Sequence, residues 1–187
     1  MNMTTIERKV DASTFLNFLD ADREIWTFQT FDDNADRKDK SLTRVLNGSL
    51  EQHGDTLIRA NQQGAGIYVT VNETDGVGRK QENIKRINAV WIEDDHGDSR
   101  LPLEPHITVE SSPGKYHHYF LLCDATSKDF RRLQDKLVAS WGSDPNAKDI
   151  CRVLRLPGFY HQKVNSRKGL TGERTMVRIV GGLCNDY

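Results

Sequence analysis

Apolar side chains recur along this chain at two periods, and the switches between them divide it into helices and strands. Residues 12–20 carry Phe15, Leu16, Phe18 and Leu19 at helical spacing, with Asp11 or Ser13 as a cap. Residues 25–31 alternate like a strand, setting Ile25, Thr27, Gln29 and Phe31 against Trp26, Phe28 and Thr30. A charged loop follows over 32–40. Residues 42–61 then read as one or two helical pieces, interrupted near Gly48 or Gly54. A short buried strand spans 66–71, and a polar, turn-rich loop spans 72–82. Residues 106–111 and 116–122 form two strands joined by Ser-Pro-Gly-Lys, a hairpin signal. Phe130, Leu133 and Leu137 mark a helix over 127–141, and a late strand occupies 175–180. This mixture predicts an α+β domain around a mainly antiparallel sheet with flanking helices. The 187 residues suit a single domain, read as an N-terminal α/β unit over 1–65 followed by a core over 66–187.

Composition narrows the class. Apolar residues make up 36% of the chain and mean hydropathy is -0.65, so no stretch has the length or apolarity to span a bilayer. The N-terminus lacks the apolar centre of a signal peptide, and a cytoplasmic location without membrane partners is expected. Cys123, Cys151 and Cys184 are odd in number, far apart and without a CxxC pair. They read as reduced and structural, and no zinc is expected. A net charge of -1 argues against a general DNA-coating protein. It leaves room for a local basic cleft, because 26 Lys and Arg can be spread unevenly.

The most informative stretch is Ala89-Val90-Trp91-Ile92-Glu93-Asp94-Asp95-His96, an apolar run that ends in three carboxylates. On a strand Glu93 and Asp95 point one way and Asp94 the other. Two acids on one face repel unless a cation lies between them, and hard oxygen donors suit Mg²⁺ or Mn²⁺. In isolation the same run also reads as a solvated acidic loop. A second segment runs from Glu110 to Tyr119, ESSPGKYHHY. Its small-residue turn favours anions, so Ser111 or Ser112, Lys115 and one histidine can grip phosphates. His117 and His118 occupy opposite faces, so only one enters the site. The third segment is DPNAKDICRVLRLPGFYHQK, residues 144–163. Asp149 is a candidate third carboxylate, and Arg152, Arg155, His161 and Lys163 add cations around the Pro157-Gly158 turn. Taken alone, Asp149 reads equally as a cap, and Arg155 and Lys163 as surface charges.

In this order the three segments, with GIYVTVNETDGVGRK at 66–80, resemble the catalytic domain of archaeo-eukaryotic-type primases. The likeness covers roughly residues 60–165 and is nearest to the RepB-type primases of plasmids, phages and integrated elements. That family carries two acids separated by one residue, a serine-led turn running to a histidine, and a last aspartate. The resemblance matches Glu93 and Asp95 to the first motif, His117 to the second and Asp149 to the third. It implies an RRM-like catalytic sheet, a two-metal site for Mg²⁺ or Mn²⁺, and nucleotidyl transfer templated by single-stranded DNA. Ser111, Ser112, Lys115, His117, Arg155, His161 and Lys163 would hold nucleoside triphosphate or template phosphates. A helicase or an additional helical domain is an implied partner. Glu at 93 departs from the commoner Asp, and reaches one methylene further. Two other readings stand beside this one: a relaxase or nicking nuclease, and a non-catalytic nucleic-acid-binding domain. A relaxase places two histidines on one strand face, which the adjacent His117 and His118 do not provide.

Overall fold

The computed structural model describes residues 4–182. Helix α1 (Thr5–Leu19) starts well before the expected residue 12, because Thr4 and Glu7 form a capping box that satisfies its first turn. Only its second half has an apolar stripe: Ala12, Phe15, Leu16 and Leu19 are all buried. Strand β1 (Trp26–Asp32) is buried on both faces from Trp26 to Thr30, where simple alternation predicted one wet face. Its inward polar groups are paired: Thr27 donates to Asn47 Oδ1 at 2.7 Å, and the Gln29 amide donates to the Arg44 carbonyl at 2.9 Å.

Residues 42–61 depart most from expectation. They form strand β2 (Arg44–Gly48) and then helix α2 (Leu50–Gln62). β2 pairs antiparallel with β1, Trp26 opposite Gly48. Gly48, at φ +150°, turns the chain into α2, and the Ser49 hydroxyl caps that helix. Next come β3 (Ala65–Thr70), a small ribbon of β4 (Glu73–Thr74) with β5 (Ile84–Arg86), and β6 (Ala89–Asp94). The hairpin β7 (Ile107–Ser112) and β8 (Lys115–Leu121) turns at Pro113-Gly114, and helix α3 (Ser127–Trp141) follows. Beyond α3 lie β9 (Val153–Arg155), β10 (Tyr160–His161), β11 (Val164–Asn165), β12 (Leu170–Thr171), β13 (Thr175–Met176) and β14 (Arg178–Gly182). The single late strand expected over 175–180 is thus two strands. Buried Val177 separates them, bonded to Gly158 and Phe159.

Two four-stranded antiparallel sheets result, β2-β1-β3-β9 and β14-β7-β8-β6, in keeping with the expected α+β class. The first sheet joins strands from both sides of residue 65. α3 lies against β6, with Phe130 packed on Trp91 at 5.4 Å, and Phe15 of α1 meets Tyr119 edge-on at 5.3 Å. One continuous apolar cluster links these elements. Among the described residues no helix is long and apolar enough to cross a membrane. Cys123 and Cys151 are free thiols; Cys184 lies outside the described residues.

Candidate active site

A cleft of about 730 Å³ opens where the ends of the two sheets meet. The second sheet contributes Glu93, Ser111, Ser112, Lys115 and His117, and the first contributes Tyr68 and Arg155. Asp95, Asp144, Arg152, His161, Lys163, Lys168 and Glu173 add charged or titratable groups, and Asn165, Thr171 and Thr175 add neutral polar ones. All but one of the residues singled out from the sequence therefore line a single space.

The strand register explains why. Glu93 lies opposite His117 across β6 and β8, and Val109 flanks His117 on β7. Asp94 faces away and is buried at 4% exposure. Burial acts to raise the Asp94 pKa, but the N–H groups of Ser99, Gly97 and His96 hold it below the ordinary carboxylate value. His118 shares that far side, 3.8 Å from Asp94 and stacked on Tyr116. Burial, then the Arg155 charge, pushes His117 down to about 3, so its imidazole is neutral near pH 7. Among the described residues its buried Nδ1 has no hydrogen-bond partner.

The acids hold positions that favour a cation. Burial raises the pKa of Glu93, and the Arg152 guanidinium, 3.0 Å away, opposes that shift. Asp95 is paired with Lys115 at 3.0 Å. Asp144 sits beside Glu93 because its N–H reaches the Glu93 carbonyl at 3.4 Å, while the Glu93 N–H donates to Ser143 Oγ at 3.2 Å. Among the described residues no three His, Cys, Asp or Glu side chains converge as a ready-made metal cage. Two carboxylates on one face still fit Mg²⁺ or Mn²⁺, since Mg²⁺ commonly takes one or two carboxylates and completes its shell with substrate phosphates.

Asp149 does not join them. It lines a smaller cavity of about 270 Å³ beside α3, its side chain is 64% exposed, and its contact is Arg152 at 3.6 Å. Arg152 contacts both Asp149 and Glu93, and the further carboxylates that line the cleft are Asp144, next to Glu93, and Glu173. The DPN turn carried that signal: Asp144 accepts from the Asn146 N–H at 2.8 Å, which fixes its place after Ser143.

Arg155, expected as a phosphate contact or a surface charge, reaches the cleft but is 6% exposed and forms a two-pronged ion pair with buried Asp33, at 2.9 and 3.1 Å. The Tyr68 ring covers it at 4.8 Å. Gly66 leaves room for the pair, since a Cβ there would sit 2.4 Å from Asp33 Oδ1. Asp33 also accepts the Gln162 N–H at 3.2 Å, which fixes the segment that carries His161 and Lys163 into the cleft. Burial and the nearby Arg155 charge lower the pKa of both residues, His161 to about 4. Neither Asp33 nor Tyr68 was visible as a site residue in the sequence: one is a lone acid in a charged loop, the other sits inside an apolar strand.

Residues 41–181 match the family model of the RepB DNA-primase N-terminal domain. Among solved structures, the chain is similar to the archaeo-eukaryotic primase (AEP) domain of the cyanophage S-2L primase-polymerase. That match has 24% identity and a TM-score of 0.72, and covers 93% of this chain and 90% of that one. It is also similar to primase RepB′, at 20% identity and TM-score 0.67 over 94% of this chain and 57% of that one. A third match is the catalytic domain of primase Repb′ in complex with initiator DNA, at 19% identity and TM-score 0.60, covering 96% and 84%. At such identities these structures share the fold. No curated protein matches the chain. With the family model spanning most of its length and three primase folds superimposing on it, the chain belongs to the RepB DNA-primase N-terminal domain family.

Proposed function

We propose that this cleft is the nucleotidyl-transfer site of a DNA primase or primase-polymerase, with Glu93 and Asp95 as its metal carboxylates and Asp144 as the third acid. The observation that carries the reading is one cleft lined both by the acids Glu93, Asp95 and Asp144 and by Ser111, Ser112, Lys115, His117, His161 and Lys163. The reaction joins a 3′-hydroxyl oxygen to the α-phosphorus of a nucleoside triphosphate and releases pyrophosphate. Bound Mg²⁺ or Mn²⁺ supplies charge neutralisation and acidifies the attacking hydroxyl. The protein's own part is positioning. Glu93 and Asp95 would hold the cation; their carboxylates pair with Arg152 and Lys115. Neutral His117 offers a hydrogen bond to the triphosphate, and the Ser111-Ser112 backbone and Lys115 grip it from the turn. Lys163 and Lys168 supply the outer cations that draw in template or nucleotide phosphates. The substrates are single-stranded DNA and nucleoside triphosphates, and the element served is a plasmid or phage replicon in which a helicase or helical module accompanies the domain.

The direct test is incubation with single-stranded template, labelled NTPs or dNTPs, and Mn²⁺. Extension products support the reading. Template nicking points to a relaxase, and binding without either product points to a non-catalytic domain.

The two histidines separate binding from folding. His117→Ala is expected to raise the nucleotide KM about tenfold, the scale of one hydrogen bond to a charged group. His118→Ala is expected to leave KM within about twofold and to lower the melting temperature, because Asp94 and Thr108 lose a buried partner. Steady-state kinetics beside thermal melts read both effects, and an equal KM change in the two variants would refute the assignment.

The acids separate likewise. Asp144→Ala is expected to reduce synthesis more than about tenfold, whereas Asp149→Ala stays within about twofold, because only Asp144 reaches the cleft. Primer-extension rates decide between them, and the reverse order would return the third-acid role to Asp149.

A further inference from the structure

We infer that Asp94, the middle acid of the run and the one that never enters the cleft, is the positioning residue that fixes Asp95 for metal binding. This rests on reading Glu93 and Asp95 as the metal carboxylates. Asp94 closes β6 and is 4% exposed. One of its oxygens accepts the N–H groups of His96 at 3.2 Å and Gly97 at 2.8 Å; the other accepts that of Ser99 at 3.1 Å. The five residues after the strand are thus gathered around one carboxylate.

The same loop is pressed onto the β7–β8 turn. Gly97 has φ +72°, and a Cβ there would lie 3.0 Å from the Gly114 carbonyl oxygen. His118 anchors Asp94 from β8, with Nε2 3.8 Å from the carboxylate and Nδ1 3.1 Å from Thr108 Oγ1. Asp95 itself has little to fix it. Its side chain is 56% exposed, and its partner is Lys115, itself 46% exposed. Exposed pairs of this kind contribute little to holding a conformation. The orientation of Asp95 toward the cleft is therefore inherited from the backbone that Asp94 ties down on both sides of it. In metal sites, residues that hold the ligands without touching the ion commonly change affinity by about 10–100-fold when removed.

The test is titration of the full chain with Mn²⁺ alone, reading free ion by electron paramagnetic resonance, in wild type, Asp94→Asn and Asp94→Ala. Asn keeps one acceptor oxygen for His96 and Gly97 and loses the one for Ser99. The expected result is a Mn²⁺ Kd raised about tenfold in Ala and by an intermediate factor in Asn. The Mn²⁺ concentration for half-maximal synthesis should rise in parallel, with nucleotide KM within twofold and kcat restored by excess Mn²⁺. If Asp94→Ala fails to fold, Asp94→Asn carries the comparison. Unchanged Mn²⁺ affinity in a folded variant, whatever its kcat, overturns the inference and leaves Asp94 a loop cap. If wild type binds no Mn²⁺ and the Glu93→Ala, Asp95→Ala double variant still synthesises, the reading of the site itself fails, and this inference falls with it.

Discussion

Replacing Glu93 and Asp95 together by alanine is expected to abolish Mn²⁺-dependent primer synthesis, a loss of at least about a thousandfold, or roughly 4 kcal/mol of transition-state stabilisation. Both side chains line the cleft at the end of β6, and each meets a cation, Arg152 or Lys115. Removing them leaves Asp144 and Glu173 as the carboxylates lining the cleft among the described residues, without the Glu93–Asp95 pair that is proposed to hold the ion. The fold should survive. Glu93 is a partly buried carboxylate whose burial disfavours its charge, and Asp95 is exposed, so neither contributes much to packing. Arg152 keeps the Asn146 carbonyl at 3.1 Å and Asp149 at 3.6 Å. A melting curve close to wild type beside blank extension lanes is the expected pair of observations. Retained synthesis would remove these acids from the active site.

The second large effect is on stability. Arg155→Ala is expected to cost about 3–5 kcal/mol, because it strands the Asp33 carboxylate in the interior. For a chain of this size that is a drop in melting temperature of roughly 6–20 °C. Asp33→Ala should cost a comparable amount for the mirror reason, leaving a guanidinium at 6% exposure without its partner. The Asp33→Ala, Arg155→Ala double variant should recover part of the loss, since two missing charges are cheaper than one orphan. Lys163→Ala provides the contrast. It sits at the cleft with no ion-pair partner among the described residues, so it should weaken nucleotide or DNA binding and flatten its salt dependence with little change in melting temperature. Thermal melts of the four variants with a salt titration of binding measure this. An unchanged melting temperature in Arg155→Ala would mean that the buried pair contributes nothing to the folded state.

Much of this was legible in the residues taken in order. The Ser-Pro-Gly-Lys hairpin and the placing of His117 and His118 on opposite faces follow from strand geometry over a few neighbours, and the register agrees; Asp95 lies one residue past the end of β6, and it lines the cleft with Glu93. The helix over 127–141 was equally plain, because Thr126 and Asp129 form its capping box and Phe130 and Leu137 its buried stripe. The start of α1 at Thr5 had a local signal as well, the Thr4–Glu7 box, which a search for apolar stripes passes over.

What the sequence could not settle depends on partners distant along the chain. Whether residues 44–48 form a strand depends on an open edge of β1 to pair with, not on their own pattern. Arg155 looks identical in sequence whether it faces a phosphate or Asp33; only the approach of a loop 122 residues away made it an ion pair. The choice between Asp144 and Asp149 turned on which of them lies beside the end of β6, a contact made by backbone hydrogen bonds to Glu93. By itself the sequence determined the β6 strand, the β7–β8 hairpin and most of the charged groups that meet in the cleft, because those are properties of side-chain period and chemistry. Only the tertiary structure decided which of those charges remain available to a substrate and which neutralise one another, because in a folded interior a charge is defined by whatever opposite charge burial brings within about 3 Å of it.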